Sequence, residues 1–217
     1  MCGRYTLRAR LNRILEEFAC DVQEGLVVEP RFNIAPTQDV LIVQDGRLQT
    51  ARWGLVPSWA DDPKIGNRMI NARSDGVADK PAFRRAFKQS RCLVVADGFY
   101  EWRPGGDEKQ PFFIRMRDDR PFAFAGLSES WRHGEETLRS TTIITTEANP
   151  LMAPLHDRMP VILPAEARPL WLDPEFAGRD ALRALLKPYE ADDLVAAPVG
   201  TRVNNPRNET PECLAPP

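Results

Sequence analysis

The 217-residue chain has no apolar run approaching the roughly 18 residues that span a bilayer, and no charged-then-apolar leader. No membrane partner is expected, and a reducing cytoplasm is the expected home. Neither sign of charge dominates: 29 Lys and Arg stand against 31 Asp and Glu. Such a field does not draw in a polyanion, so a nucleic-acid partner would need a local basic patch. The four cysteines, Cys2, Cys20, Cys92 and Cys213, show no C-x-x-C spacing, which argues against a zinc ribbon or a thioredoxin pair. No metal and no cofactor are expected. Histidine occurs only twice, and there is neither an internal repeat nor a low-complexity segment.

What is present begins at the first residues, Met1-Cys2-Gly3-Arg4-Tyr5. Loss of an initiator Met before a small residue would leave a cysteine carrying a free α-amine and a thiol on adjacent carbons. Both groups titrate near neutrality, at roughly 7.7–8.0 and about 8.5 in model compounds. The amine can condense with an aldehyde to an imine, and the thiol can close on the same carbon to give a five-membered thiazolidine. The bland alternative is an inert cysteine, so the remainder of the chain has to decide.

Leu7, Leu11, Ile14, Leu15 and Phe18 recur at helical spacing, with Arg8, Arg10, Arg13, Glu16 and Glu17 on a solvated face. Cys20 and Cys92 are expected to be buried. Residues 30–37 carry a proline near each end and read as an extended connection. Asp45-Gly46, between Val40–Val43 and Leu48–Arg52, predicts a hairpin. Trp53 is expected in the core, and Trp59 either there or on a lip where a base could stack. A helix opening near Pro81 exposes Arg84, Arg85 and Lys88. Residues 92–96 form a buried strand that delivers Glu101 between Tyr100 and Trp102, a poor place for a solvated charge. Strands follow at 111–116, 121–127, 137–146 and 161–163. Asn149 caps a turn, and short helices are expected at 170–172 and 181–186. The fold class is therefore α+β, a mainly antiparallel, barrel-like β core with peripheral helices, in one domain over 1–217 whose residues 210–217 are a disordered tail.

Cys2, Asn71, Glu101 and His156 stand out as polar residues in apolar or breaker-rich surroundings. Singly, each has a structural reading: a cap for Asn71, a paired carboxylate for Glu101, a loop anchor for His156. The opening pentapeptide, residues 31–37, Arg52-Trp53-Gly54-Leu55-Val56-Pro57-Ser58-Trp59, Ile70-Asn71-Ala72-Arg73-Ser74, Ala96 to Trp102 and His156-Asp157-Arg158-Met159-Pro160 together resemble the successive motifs of the SRAP (SOS response-associated peptidase) family. They come in the family's order, and Asp75 stands where its motif often has Glu.

The resemblance implies a sensor of abasic sites in single-stranded DNA that crosslinks through the processed Cys2. It implies Cys2 as nucleophile, Glu101 as general acid-base for formation and reversal, His156 as the proton donor that opens the sugar ring, and Asn71 as a hydrogen-bonding anchor. Arg4, Arg73 and Arg158 resemble phosphate contacts; Asn33, Pro36, Trp59 and Thr145 are further DNA contacts. A monomer, nucleoid-associated if bacterial, is expected. Two alternatives stay open: a cysteine peptidase acting mainly on its own Met1, and a non-covalent single-strand-binding module.

Overall fold

Asp45 and Gly46 both take positive φ, 52° and 71°, as a two-residue hairpin turn requires. They join β4 (Asp39–Gln44) to β5 (Arg47–Trp53). β4 pairs with β7 (Arg91–Ala96), β7 with β10 (Phe122–His133), and β10 with β11 (Glu136–Glu147), each pair antiparallel. β11 then returns to β5 in parallel and closes a five-stranded mixed barrel. Every residue of β7 is buried, which is why its sequence reads as one apolar run rather than an alternation.

A second sheet runs β3 (Arg31–Ile34), β1 (Tyr5–Leu7), β8 (Gly98–Arg103), β9 (Gln110–Met116) and β13 (Leu194–Pro198), in the order β13-β9-β8-β1-β3. Two short strands extend the barrel at β11: β6 (Asn71–Arg73) in parallel and β12 (Arg158–Pro160) antiparallel. The two-residue β2 (Asp21–Val22) lies on β5. Among the described residues four short helices, α1 (Leu11–Phe18), α2 (Arg84–Gln89), α3 (Arg168–Leu172) and α4 (Arg179–Ala184), complete an α+β architecture. The computed structural model describes residues 2–105 and 109–217, and the expected loss of Met1 lies outside them.

The two sheets are riveted by Asp97, the single residue between β7 and β8. Its carboxylate, 2 % exposed, accepts from Thr6 Oγ1 at 2.6 Å and from the amides of Arg8 and Ala9 at 2.5 and 2.9 Å. That fixes β1, and with it the amino terminus, against β8. Gly98 follows because a Cβ there would sit 2.2 Å from the Phe113 ring. Tyr5 packs edge-on to Trp53 and Phe124 at 5.2 and 5.8 Å, so the barrel and the second sheet share one core.

Several expectations need correction. Arg8 is not solvated, because it pairs with Asp97 and Asp119. Leu7 belongs to β1, and the first helix starts only at Leu11. Cys20 is half-buried rather than buried. The second helix is shorter than expected and opens at Arg84. Residues 161–163 contribute a lone bridge, Ile162 to Phe124, beyond β12. The tail over 210–217 is not a loose end: Pro211–Leu214 makes a 3-10 turn that buries Cys213 completely. Among the described residues no helix is long and apolar enough to cross a membrane.

Candidate active site around Cys2

The register of β1 on β8 sets the first pair of functional residues. Tyr5 lies opposite Phe99, and the Tyr100 amide donates to the Arg4 carbonyl at 2.9 Å. Carried on along both strands, that register brings Glu101 level with Gly3, beside Cys2. Glu101 is 5 % exposed, and its negative charge is felt at the Cys2 sulfur. Burial first, and Glu101 second, push the Cys2 thiol far above its usual range.

Asn71 opens β6, which is held in place by its parallel pairing with Ile143 to Thr145 of β11. Its Nδ2 donates to the Cys2 carbonyl at 2.8 Å, while its Oδ1 is buried without a partner. His156 follows the turn capped by Asn149, whose Oδ1 accepts from the Met152 amide at 2.9 Å. Its Nε2 stands 4.0 Å from Glu101 Oε1. On the other edge of the ring Nδ1 faces two groups, the Arg158 amide at 2.9 Å and Asp157 Oδ1 at 2.7 Å. Nδ1 can accept from the amide or donate to the carboxylate, so the imidazole can carry its proton on either side without moving. The four residues singled out in the sequence thus come together, from four separate stretches of chain.

Cys2 is 0 % exposed. Its sulfur lies 4.0 Å from the Arg4 carbonyl, a backbone partner rather than an imidazole. Among the described residues the buried polar side-chain atoms without a hydrogen-bond partner are Arg4 Nε, Tyr5 OH, Asn71 Oδ1, Thr142 Oγ1 and Arg158 Nε, and of these Asn71 Oδ1 belongs to the side chain bonded to Cys2.

The expected DNA contacts divide. Arg73 and Trp59 are exposed and Pro36 is half-buried. Arg73 pairs with Asp75 at 2.9 Å, and that bond holds the Asp75 carboxyl below its usual range. Arg158 donates to the Thr145 carbonyl at 2.6 Å. Arg4 is half-buried over the Trp102 ring, with NH1 shared between Asn33 Oδ1 and the Val203 carbonyl, both at 2.7 Å. Asn33 and Thr145 are both completely buried, as Cys2 is. Asn33 spends its amide on the carbonyls of Val203, Asn205 and Asn208, and Thr145 on the strand pairing beside β12. They support the site from within.

The reading of the sequence missed Glu209, which accepts from Arg31 and from the amides of Phe32 and Asn33, and Asn204, which accepts from Trp102 Nε1. Asn204 lies in the Val203-Asn204-Asn205 stretch, which resembles the family, and Glu209 in the polar, breaker-rich run after it, but neither was given a role. It also passed over Asp97, although a carboxylate directly after an apolar strand is the same signal that singled out Glu101. Among the described residues no group of three His, Cys, Asp or Glu side chains is arranged to hold a metal ion.

The family profile described as "SOS response associated peptidase (SRAP)" matches residues 1–206. The chain belongs to the SRAP family. It is 46 % identical to the abasic site processing protein YoqW of Bacillus subtilis, over 99 % of each chain. It is 31 % identical to the abasic site processing protein YedK of Escherichia coli over the whole of both. A crystal structure of a Bacteroides thetaiotaomicron protein superposes with a TM-score of 0.90 over both full lengths at 24 % identity, so this SRAP chain shares its fold.

Proposed function

We propose that this SRAP protein processes abasic sites in single-stranded DNA, and that Cys2, once Met1 is removed, forms a thiazolidine with the open-chain sugar. The observation that carries the reading is the convergence at the amino terminus: Asn71 on the Cys2 carbonyl, Glu101 bearing on its thiol, and His156 4.0 Å from that carboxylate. The names of the relatives support the same substrate.

In this reading His156 gives a proton to the ring oxygen of the deoxyribose, opening it to the aldehyde. Glu101 takes a proton from the α-ammonium, and the free amine attacks C1′. Glu101 returns that proton to the departing hydroxyl, one water leaves, and a protonated imine remains. The sulfur then attacks the same carbon, and the thiol proton passes to Glu101, leaving a neutral thiazolidine. Closing the ring removes the imine that would otherwise promote β-elimination and strand cleavage. The same carboxylate serves reversal of the link. Arg73, Arg158, Trp59 and Pro36 hold the strand, with Arg4 lending charge from below. The protein acts as a monomer in the cytoplasm and needs no metal.

Cys2 is buried in the chain that still carries Met1, where its nitrogen is an amide and cannot form an imine, so the reaction requires both loss of Met1 and access to the sulfur. Mixing the processed protein with an abasic oligonucleotide should raise its mass by that of the strand less one water. Cys2→Ala and a Met1-retaining form should give no adduct; an adduct from either would overturn the reading.

A further inference from the structure

The basic helix α2 has no part in the site described so far. Arg84, Arg85 and Lys88 are all exposed on it. The helix is held by Arg91, whose NH1 donates to the carbonyls of Phe87 and Lys88 at 2.8 and 2.9 Å. Arg85 is thereby set at a polar cavity of about 510 Å³ between α2, the turn carrying Ser58, and the β10–β11 ribbon.

Three guanidiniums, Arg85, Arg132 and Arg139, line this cavity together with the hydroxyls of Ser58 and Ser130. Arg85 donates to Ser58 Oγ at 2.7 Å and Arg139 to Gln49 Oε1 at 2.5 Å, both neutral acceptors. None of the three forms an ion pair within 4.0 Å among the described residues. Two carboxylates also face the cavity, Asp45 at the exposed hairpin tip and Glu129. Three guanidiniums against two carboxylates leave the positive charge in excess. In a chain whose total charge is close to balance, such a cluster selects an anion.

Its position relative to the site suggests which anion. Arg139 lies four residues along β11 from Ile143, the residue level with Asn71, or about 13 Å at the usual rise of a strand. Ser58, on the cavity wall, is followed directly by Trp59, a residue that is 59 % exposed. The turn is fixed in that position by Trp131 Nε1, which donates to the Ala60 carbonyl at 2.6 Å, and by the close backbone approach of Gly54 to Gly66.

We propose that this cavity is a second phosphate subsite, which takes the backbone of the single strand flanking the abasic nucleotide on the Trp59 side. The proposal rests on the DNA reading above. Its test is the triple variant Arg85→Gln, Arg132→Gln, Arg139→Gln in the full, processed chain, with the triple Arg→Lys variant as the charge-conserving control. Affinity for an undamaged single-stranded 15-mer is measured from 50 to 200 mM salt. Loss of three phosphate contacts should lower the slope of log K against log salt by about 2, so that affinity falls about twenty-fold less across that range. The Lys triple should keep the wild-type slope, and both triples should crosslink an abasic trinucleotide at the wild-type rate. An unchanged slope in the Gln triple overturns the subsite even if crosslinking is intact. So does protection by inorganic phosphate that distinguishes wild type from the Gln triple while the DNA slopes agree, since the site would then serve a small anion. A changed slope with no adduct from any form would leave the subsite standing and overturn the crosslinking chemistry instead.

Discussion

The Asn71 side-chain amide donates to the Cys2 carbonyl at 2.8 Å, across 69 positions of sequence. This bond ties Cys2 to β6, and β6 is itself fixed on the barrel by β11. The nucleophile is thus located by two anchors, the amide above it and the β1–β8 pairing below. Neither anchor uses the sulfur or the nitrogen that would react.

Asn71→Ala should therefore leave the fold nearly intact, costing about 1 kcal/mol for one lost hydrogen bond, yet slow adduct formation on the order of 10²-fold through misplacement of the terminus. Asn71→Asp should be worse than Ala in both respects, because it sets a carboxylate oxygen against the Cys2 carbonyl. Denaturant midpoints and single-turnover crosslinking rates separate the two effects; equal rates for wild type and Asn71→Ala would remove Asn71 from the site.

Thiol reactivity offers a second check. Cys2, Cys92 and Cys213 are buried, and burial pushes Cys92 up to about 12, whereas Cys20 is half-exposed. In the Met1-retaining chain, iodoacetamide should modify Cys20 first, as read by peptide mass spectrometry. In the processed chain, Glu101→Gln removes one of the two causes that raise the Cys2 thiol, so its alkylation profile should move to lower pH while crosslinking slows. A profile that moves upward would contradict the charge relationship.

The tail should matter for stability. Asn33→Ala removes the one side chain that bonds the carbonyls of Val203, Asn205 and Asn208 and also Arg4 NH1, an expected loss of about 2–3 kcal/mol in urea unfolding even though Arg4 and Val203 stay bonded to each other. Glu209→Gln keeps an acceptor for the Phe32 and Asn33 amides and gives up only its charge toward Arg31, so its cost should be clearly smaller. Equal costs would mean that the tail is held by charge rather than by amide geometry.

These tail contacts also mark where reading the sequence succeeds and stops. Asp45-Gly46 announced its hairpin because the turn needs those residue types locally, and β7 announced its burial because both its faces are covered. Cys2, Asn71, Glu101 and His156 stood out as polar residues in apolar or breaker-rich surroundings, but each kept a structural reading until the resemblance of the successive motifs joined them. Asn33 and Thr145 look equally polar, but their partners lie on remote segments, and nothing local distinguishes a buried amide that holds a tail from an exposed one that holds DNA. Arg8 was misassigned for the same reason: its place beside Asp97 follows from strand pairing, not from helical periodicity.

Glu129 gives a pH-dependent prediction whose sign is fixed. Burial raises its folded-state pKa above the ordinary carboxylate value, and Arg85 only partly offsets the rise. Between the unfolded and folded values the native state holds more protons than the unfolded chain, so stability falls as pH rises through that window. The stability associated with this group is therefore present below the unfolded pKa of about 4.3 and lost above the folded one. Glu129→Gln removes the titration, so the variant should be more stable than wild type at neutral pH, with the advantage vanishing below about pH 4. Thermal unfolding of both proteins from pH 4 to 8 measures the difference directly. A constant gap across that range would mean that Glu129 is not held away from its ionised form by its surroundings.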